Sequence, residues 1–256
     1  MSRQNIHGFI AILLLCCSQA SPAANGLRLA TGPYYSTGNY GNTQSTEILY
    51  VPLDFKYRHG PLSLGLTVPY IRITGPSNVL RGIGRVGTAT ARRGTESGLG
   101  DVLASARYHV YYNPDTGILL DLTGKVKFGT ADSNRALGTG ENDYVIQANL
   151  YRTLGAWTPY AGLGYKVLGR SSRFRLRNVV YGSLGLSYKL THDTDLGGSF
   201  YLAQKSTNTG SNKKQLTLYA SHALNKTWKL QAYAIKGFTD GTPDYAGGAS
   251  VIYSFE

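Results

Sequence analysis

Few residues in this chain of 256 are spaced for covalent or metal chemistry. Ser221 and His222 are neighbours, as are His192 and Asp193. In an extended segment adjacent side chains point to opposite faces, so neither pair can work as base with nucleophile or orienting carboxylate. No His-x-Ser pair shares a strand face, and no enzyme activity is expected. His59, His109, His192 and His222 are scattered, without a His-Glu-x-x-His spacing or a Cys partner, which speaks against a metal site. Gly82-Ile83-Gly84-Arg85-Val86-Gly87 fits the G-x-G-x-x-G string but opens no helix and follows no buried parallel strand, so no dinucleotide or other cofactor is expected. Asp132 and Glu141-Asn142-Asp143 could hold calcium, but they read better as loop-closing and strand-capping groups. What remains is charge: 26 Lys and Arg against 14 Asp and Glu, a formal +12.

The elements that must position this charge are extended. From Gly98 to Tyr112, through the turn Asn113-Pro114-Asp115-Thr116 and on to Gly129, apolar and polar residues alternate. Ile118, Leu120, Leu122, Val126 and Phe128 share one face; Leu119, Asp121, Thr123, Lys125 and Lys127 share the other. A period of two means strand, not helix. At about 3.3 Å per residue, segment 117–129 is about 40 Å long, enough to cross a bilayer at a tilt of about 40°. Closing the hairpin at 113–116 sets His109 opposite Asp121, with Arg107 on a diagonal to Asp121 as a structural ion pair.

Twelve such segments follow one another, at 27–36, 46–58, 62–73, 98–112, 117–129, 143–153, 157–169, 178–190, 195–206, 213–224, 227–238 and 246–255. Alternate connections are short (59–61, 113–116, 154–156, 191–194, 225–226). The others are long and rich in Gly, Ser, Thr and Asn (37–45, 74–97, 130–142, 170–177, 207–212, 239–245). Short turns at one end and long loops at the other are the layout of a transmembrane antiparallel up-and-down β-barrel, all-β, of about 12 strands. An even count puts both termini on the short-turn, periplasmic side. Charged residues at apolar parity (Glu47, Arg72, Arg152, Lys214, His222, Lys236) lie near strand ends, where they can snorkel. Tyr112, Trp157 and Trp228 are placed as an aromatic girdle at the short-turn rim. A soluble barrel of this size would be too wide for its modest Leu and Val residues to fill.

Residues 1–23 read as a cleaved secretory signal and 24–256 as the barrel: Arg3 opens the segment, Phe9 to Cys17 is apolar, and small residues follow. Both cysteines, Cys16 and Cys17, lie in that segment. Export makes nucleic acid an improbable partner for the positive charge. The expected location is a Gram-negative outer membrane. The expected partners are its lipid and lipopolysaccharide, a small-molecule solute, and the barrel-assembly machinery through the C-terminal strand.

With the apolar face outward, the opposite face lines a lumen. It carries Arg28, Lys56, Arg58, Arg107, Lys125, Lys127, Lys166, Lys189, Lys205, Lys213 and Lys229, against Asp54, Asp101, Asp121, Asp143 and Asp195. The expected bore is on the order of 10 Å or less, and a basic lining favours anions. The expected role is a passive channel for small anionic solutes such as aromatic or other carboxylates. The rival is a closed barrel with a structural or surface-binding role. A second basic set, Arg81, Arg85, Arg92, Arg93, Arg170, Arg173, Arg175 and Arg177, lies in the long loops, where it can meet lipopolysaccharide phosphates or draw in anions. Loop 74–97 is long enough to enter and constrict the bore.

Tyr50-Val51-Pro52-Leu53, Val68-Pro69-Tyr70, Gly98-Leu99-Gly100-Asp101, Gly124-Lys125-Val126-Lys127, Leu137-Gly138-Thr139-Gly140 with Asn142-Asp143-Tyr144, and Lys236-Gly237-Phe238 occur in this order. In them the chain resembles the outer-membrane transporter family associated with the meta-cleavage pathway of phenol degradation. The resemblance implies a β-barrel transporter. Two features depart from it: Lys127-Phe128-Gly129-Thr130 stands where members often have Lys-x-Pro-Thr, and Glu256 follows the terminal aromatic Phe255.

Overall fold

Period-two alternation becomes strand throughout. The computed structural model describes residues 25–76, 79–80, 84–85, 93–170 and 176–255. The expected signal segment, 1–23, lies outside the described residues. The strands are β1 (Gly26–Thr31), β2 (Tyr34–Gly38), β3 (Thr46–His59), β4 (Leu62–Pro76), β5 (Val79–Leu80), β6 (Gly84–Arg85), β7 (Arg93–Leu99), β8 (Leu103–Asn113), β9 (Ile118–Lys127), β10 (Asp143–Arg152), β11 (Trp157–Val167), β12 (Val179–Lys189), β13 (Thr194–Ala203), β14 (Lys213–Ala223), β15 (Trp228–Gly237) and β16 (Tyr245–Ser254). Apart from the small β5–β6 pair, they form one antiparallel sheet closed on itself. Closure is by β16, which pairs with β1 (Arg28 opposite Ser254) and with β2 (Thr37 opposite Tyr245). No edge is left, which is what a strand-built membrane span requires.

The barrel has twelve staves, two of them broken. β1 and β2 are halves of one stave, interrupted at Gly32-Pro33; both pair with β3. β7 and β8 are halves of another, interrupted at Gly100-Asp101-Val102; both pair with β4. Each expected segment is thus a stave, with its ends moved by a few residues. The hairpin closed at 113–116 is shorter than its pattern: β9 stops at Lys127, where Phe128 donates to the Val102 carbonyl (2.8 Å) and the chain then turns at Gly129. A bulge between His109 and Tyr111 shifts β8 by one residue near its turn. Tyr112 consequently stands opposite Leu119, on the Asp121 face, and Tyr111 takes the lipid-side parity intended for it.

Faces sort as the pattern requires. Leu184 is 68% exposed, and Leu163, Leu218, Ile146 and Val110 stand out likewise, forming the apolar outer surface. Inward positions are buried in most strands and carry most of the buried polar groups among the described residues. The inner wall also explains why Gly and Tyr are both abundant. Tyr160 faces Gly185, Tyr181 faces Gly164, Tyr219 faces Gly197 and Tyr233 faces Gly248 as direct cross-strand partners. A Cβ on Gly164 would lie 2.3 Å from the Tyr181 ring, and one on Gly185 2.1 Å from the Tyr160 ring. The rings lie flat over the glycines, covering backbone and narrowing the bore.

Candidate lumen site

Cross-strand register decides which inward residues stand together. In the long-loop half, one row runs Ile235, Ala246, Ser36, Ile48, Ile73 across five adjacent staves. The next runs Tyr233, Gly248, Tyr34, Tyr50, Ile71. These inward apolar groups pack with Ala131 and Leu137, so an apolar core sits inside the barrel, not between barrel and lipid. Among the described residues the connection that enters the bore is therefore 128–142. Much of expected loop 74–97 lies outside the described residues, and its ends are strand, with Pro76 opposite Arg93.

Buried ion pairs hold loop 128–142 in place. Lys127 Nζ lies 3.0 Å from Asp101 and 3.4 Å from Asp143, and donates to Thr139 Oγ1 (2.7 Å). Asp101 accepts the Ala131 N–H (3.0 Å), and Asp143 accepts the Gly169 N–H (2.9 Å). Lys127 is thus a structural tie, whatever field it adds to the lumen.

The cations follow a different row. Arg28 stands opposite Lys56, Lys56 opposite Gly65, Gly65 opposite Ser105, Ser105 opposite Lys125, Lys125 opposite Val145 and Val145 opposite Lys166. A row perpendicular to tilted strands climbs as it goes round a barrel. Lys56 lies near the short turn of β3, whereas Lys166 lies at the long-loop end of β11. The four cations are a rising stripe along the wall. A parallel row places Arg58, Ser63, Arg107, Thr123, Gln147, Gly164, Tyr181, Ala203 and Lys213.

Small Gly65 and Ser105 leave space between the cations. A cavity of about 200 Å³ opens there, lined by Arg28, Asp54, Lys56, Arg107, Lys125, Gln147, Asn149 and Tyr151 among others. Its acid, Asp54, accepts a hydrogen bond from the Thr67 hydroxyl. Neither Arg28 nor Lys125 has an ion pair among the described residues. Arg107 shares Asp121 with His109 at 3.9 Å and 2.5 Å, the diagonal and direct partners expected from the hairpin. Asp121 is 2% exposed. Arg58 Nη2 lies 3.1 Å from His109 Nε2. A guanidinium can only donate, so Nε2 accepts and Nδ1–H is donated to Asp121.

The other expected lining residues lie outside these two rows. Lys189 stands opposite Asp195 and Lys229 lies 3.7 Å from the same carboxylate, so these form a charged group near the short-turn rim. Lys205 follows the end of β13 and sits in loop 204–212, its Nζ 3.4 Å from the Asn208 carbonyl. In the outer loops, Arg93 bonds Glu47 (3.5 Å) and the Ser45 carbonyl (3.0 Å), while Arg170 and Arg177 are exposed. Arg81, Arg92, Arg173 and Arg175, and the side chain of Arg85, lie outside the described residues. Tyr34, Tyr50, Ile48, Ile71 and Ile73 were not among the expected lining groups. Their signal is partly readable, since Ile48-Leu49-Tyr50-Val51 is apolar on both faces and the inward parity of 69–75 carries Ile71 and Ile73.

Solved structures place the fold among outer-membrane barrels. The COG4313 outer membrane channel from Pseudomonas putida F1 superposes with a TM-score of 0.72 at 16% identity, over 93% of this chain and 97% of that one. The KdgM porin gives 0.57 at 10% identity (90% and 99%). The translocator domain of the autotransporter NalP from Neisseria meningitidis gives 0.56 at 14% identity (91% and 89%). No functionally curated protein matches the sequence. Residues 29–255 match the family described as "Putative MetA-pathway of phenol degradation", and with nearly the whole barrel covered the chain belongs to that family.

Proposed function

We propose that the protein is a passive outer-membrane channel for small solutes that favours anions, with aromatic and other small carboxylates as its solute class. The observation that carries this is the climbing stripe Arg28, Lys56, Lys125, Lys166, which spaces positive charge from one end of the wall to the other. Successive basic sites lower the barrier for an anion at each step and raise it for a cation. The inward tyrosines beside the stripe supply faces on which an arene can lie. Membership of the family and the fold of a solved outer membrane channel support the transport role.

Conduction, not catalysis, also fits the one adjacent Ser–His pair. Ser221 is buried toward the lumen, while His222 is exposed on the other face and bonds the Thr194 hydroxyl (2.9 Å). The exposed Arg170 and Arg177 are read as contacts for lipopolysaccharide phosphates. The C-terminal strand β16, which closes the barrel, is read as the segment presented to the assembly machinery. The test is single-barrel conductance in planar bilayers with chloride and then benzoate as the anion. Conduction of both with anion preference supports the channel. A folded, heat-modifiable barrel without conductance supports the closed reading, which the inward course of loop 128–142 favours.

A further inference from the structure

The cations that line the cavity fall into two pairs. Arg28 on β1 and Lys56 on β3 are direct cross-strand partners. Lys125 on β9 stands opposite Ser105 on β8, and Arg107 is two positions on from Ser105 along the same inward face. Arg107 and Lys125 are therefore diagonal neighbours. Between the two pairs the wall is low. Lys56 stands opposite Gly65 and Gly65 opposite Ser105, and a Cβ on Gly65 would lie 2.6 Å from the Ser105 hydroxyl. From β3 through β4 and β8 to β9, Lys56 and Lys125 are three strand spacings apart, about 14 Å at the backbone. Side chains on a closed wall converge as they point inward, so the two charged ends come closer than that above an open floor.

The end at Arg107 and Lys125 also offers hydrogen-bond donors. Gln147 Oε1 accepts the Tyr181 hydroxyl (3.0 Å), and Gln147 Nε2 donates to Asn149 Oδ1 (2.7 Å). The bonds run one way and leave Asn149 with its N–H groups to give. Thr123, opposite Gln147, lines the same cavity, and its buried hydroxyl has no hydrogen-bond partner among the described residues. A hydroxyl left so is costly, and a ligand oxygen would offset that cost. Charge sets the valence. Among the described residues Arg28, Lys56, Arg107 and Lys125 are met by two carboxylates, Asp54 in the lining and Asp121 beside Arg107, which leaves an excess of two. The cavity, about 200 Å³, is larger than the roughly 150 Å³ that takes a benzene ring.

We propose that this cavity is a two-ended site for a dicarboxylate. One carboxylate lies between Arg28 and Lys56, and the other lies between Arg107 and Lys125 with Thr123 and Asn149 donating to it. The body of the solute spans Gly65 and Ser105. The site rests on the reading of the lumen as an anion path and narrows it, within the carboxylates, to solutes whose two charges are well separated.

The test is calorimetric titration of the full chain in nonionic detergent, at neutral pH and fixed ionic strength, with terephthalate, phthalate and benzoate. Terephthalate and phthalate carry equal charge and differ in the separation of their carboxylates. Two ends predict that terephthalate binds about tenfold or more tighter than phthalate or benzoate. Lys56→Gln and Lys125→Gln should each weaken terephthalate about tenfold and bring it to within about twofold of benzoate. Thr123→Val, which removes only the hydroxyl, should fold as well as the unaltered chain and bind terephthalate about fivefold more weakly. Should a Lys variant fail to assemble, the comparison of the two isomers on the unaltered barrel decides alone. Equal affinity for the isomers, or no saturable binding of either, overturns the site. Conductance is a separate readout. A barrel that prefers anions without distinguishing the isomers keeps the channel and loses this site, whereas one that binds terephthalate without conducting keeps the site and loses the channel.

Discussion

The two halves of this lumen are built on the same strands and differ in one property. Toward the long loops, the inward positions of β2, β3 and β4 are Tyr34, Ile48, Tyr50, Ile71 and Ile73, and loop 128–142 folds in to cover them. Toward the short turns, the inward positions of the same wall are Arg28, Lys56, Arg58 and Arg107, and a cavity remains. Apolar side chains facing one another can exclude water and close a core. A wall rich in cations cannot, because taking charged groups out of water costs several kcal/mol each. Alternation therefore decides which face is inside, while the chemistry of the inside face decides whether that interior is a plug or a path.

The strongest way to break this comparison is to cut the tie that holds the plug. Lys127→Ala leaves Asp101 and Asp143 without their shared cation. It should cost about 3–5 kcal/mol in urea unfolding from detergent micelles and raise single-barrel conductance as loop 128–142 loosens. Unchanged conductance would mean that the loop stays in the bore without the tie. Next in size is Ile71→Ala, expected to cost about 2–4 kcal/mol as a true core deletion. Ser63→Ala, on the same face of β4 but in the other half, should cost about 1 kcal/mol or less. Similar losses at the two sites would erase the distinction between core and cavity. Gly164→Ala should cost about 1–3 kcal/mol, because the added methyl meets the Tyr181 ring, whereas Gly124→Ala meets nothing within 4 Å and should stay within about 0.5 kcal/mol. Smallest is Asp121→Asn, which removes the carboxylate that Arg107 and His109 share. The anion-to-cation permeability ratio should rise about twofold, about 0.4 kcal/mol of added field, read from reversal potentials.

Much of this is legible in the amino-acid sequence. The twelve staves, the direction of their faces and the Asp121 pairings follow from period two and from the turn at Asn113, because a strand register is fixed once one tight turn is known. What stayed hidden depends on contacts between distant segments. Lys127 looked like Lys125, two positions on along one face, yet only Lys127 meets Asp101 and Asp143, which come from other staves. The breaks at Gly32-Pro33 and Gly100-Val102 interrupt runs that read as continuous, since a bulge leaves little trace in alternation. The cation stripe needed the stagger between strands, which sequence alone does not give.

The central claim is that the stripe makes the lumen prefer anions. The most direct test is the reversal potential of a single barrel under a potassium chloride gradient, compared with the Lys56→Gln, Lys125→Gln, Lys166→Gln variant. The account predicts anion preference in the unaltered chain and about a fivefold to tenfold fall in the permeability ratio in the variant, about 1–1.4 kcal/mol. Cation preference in the unaltered chain, or a ratio that does not move in a variant that still folds, would contradict it.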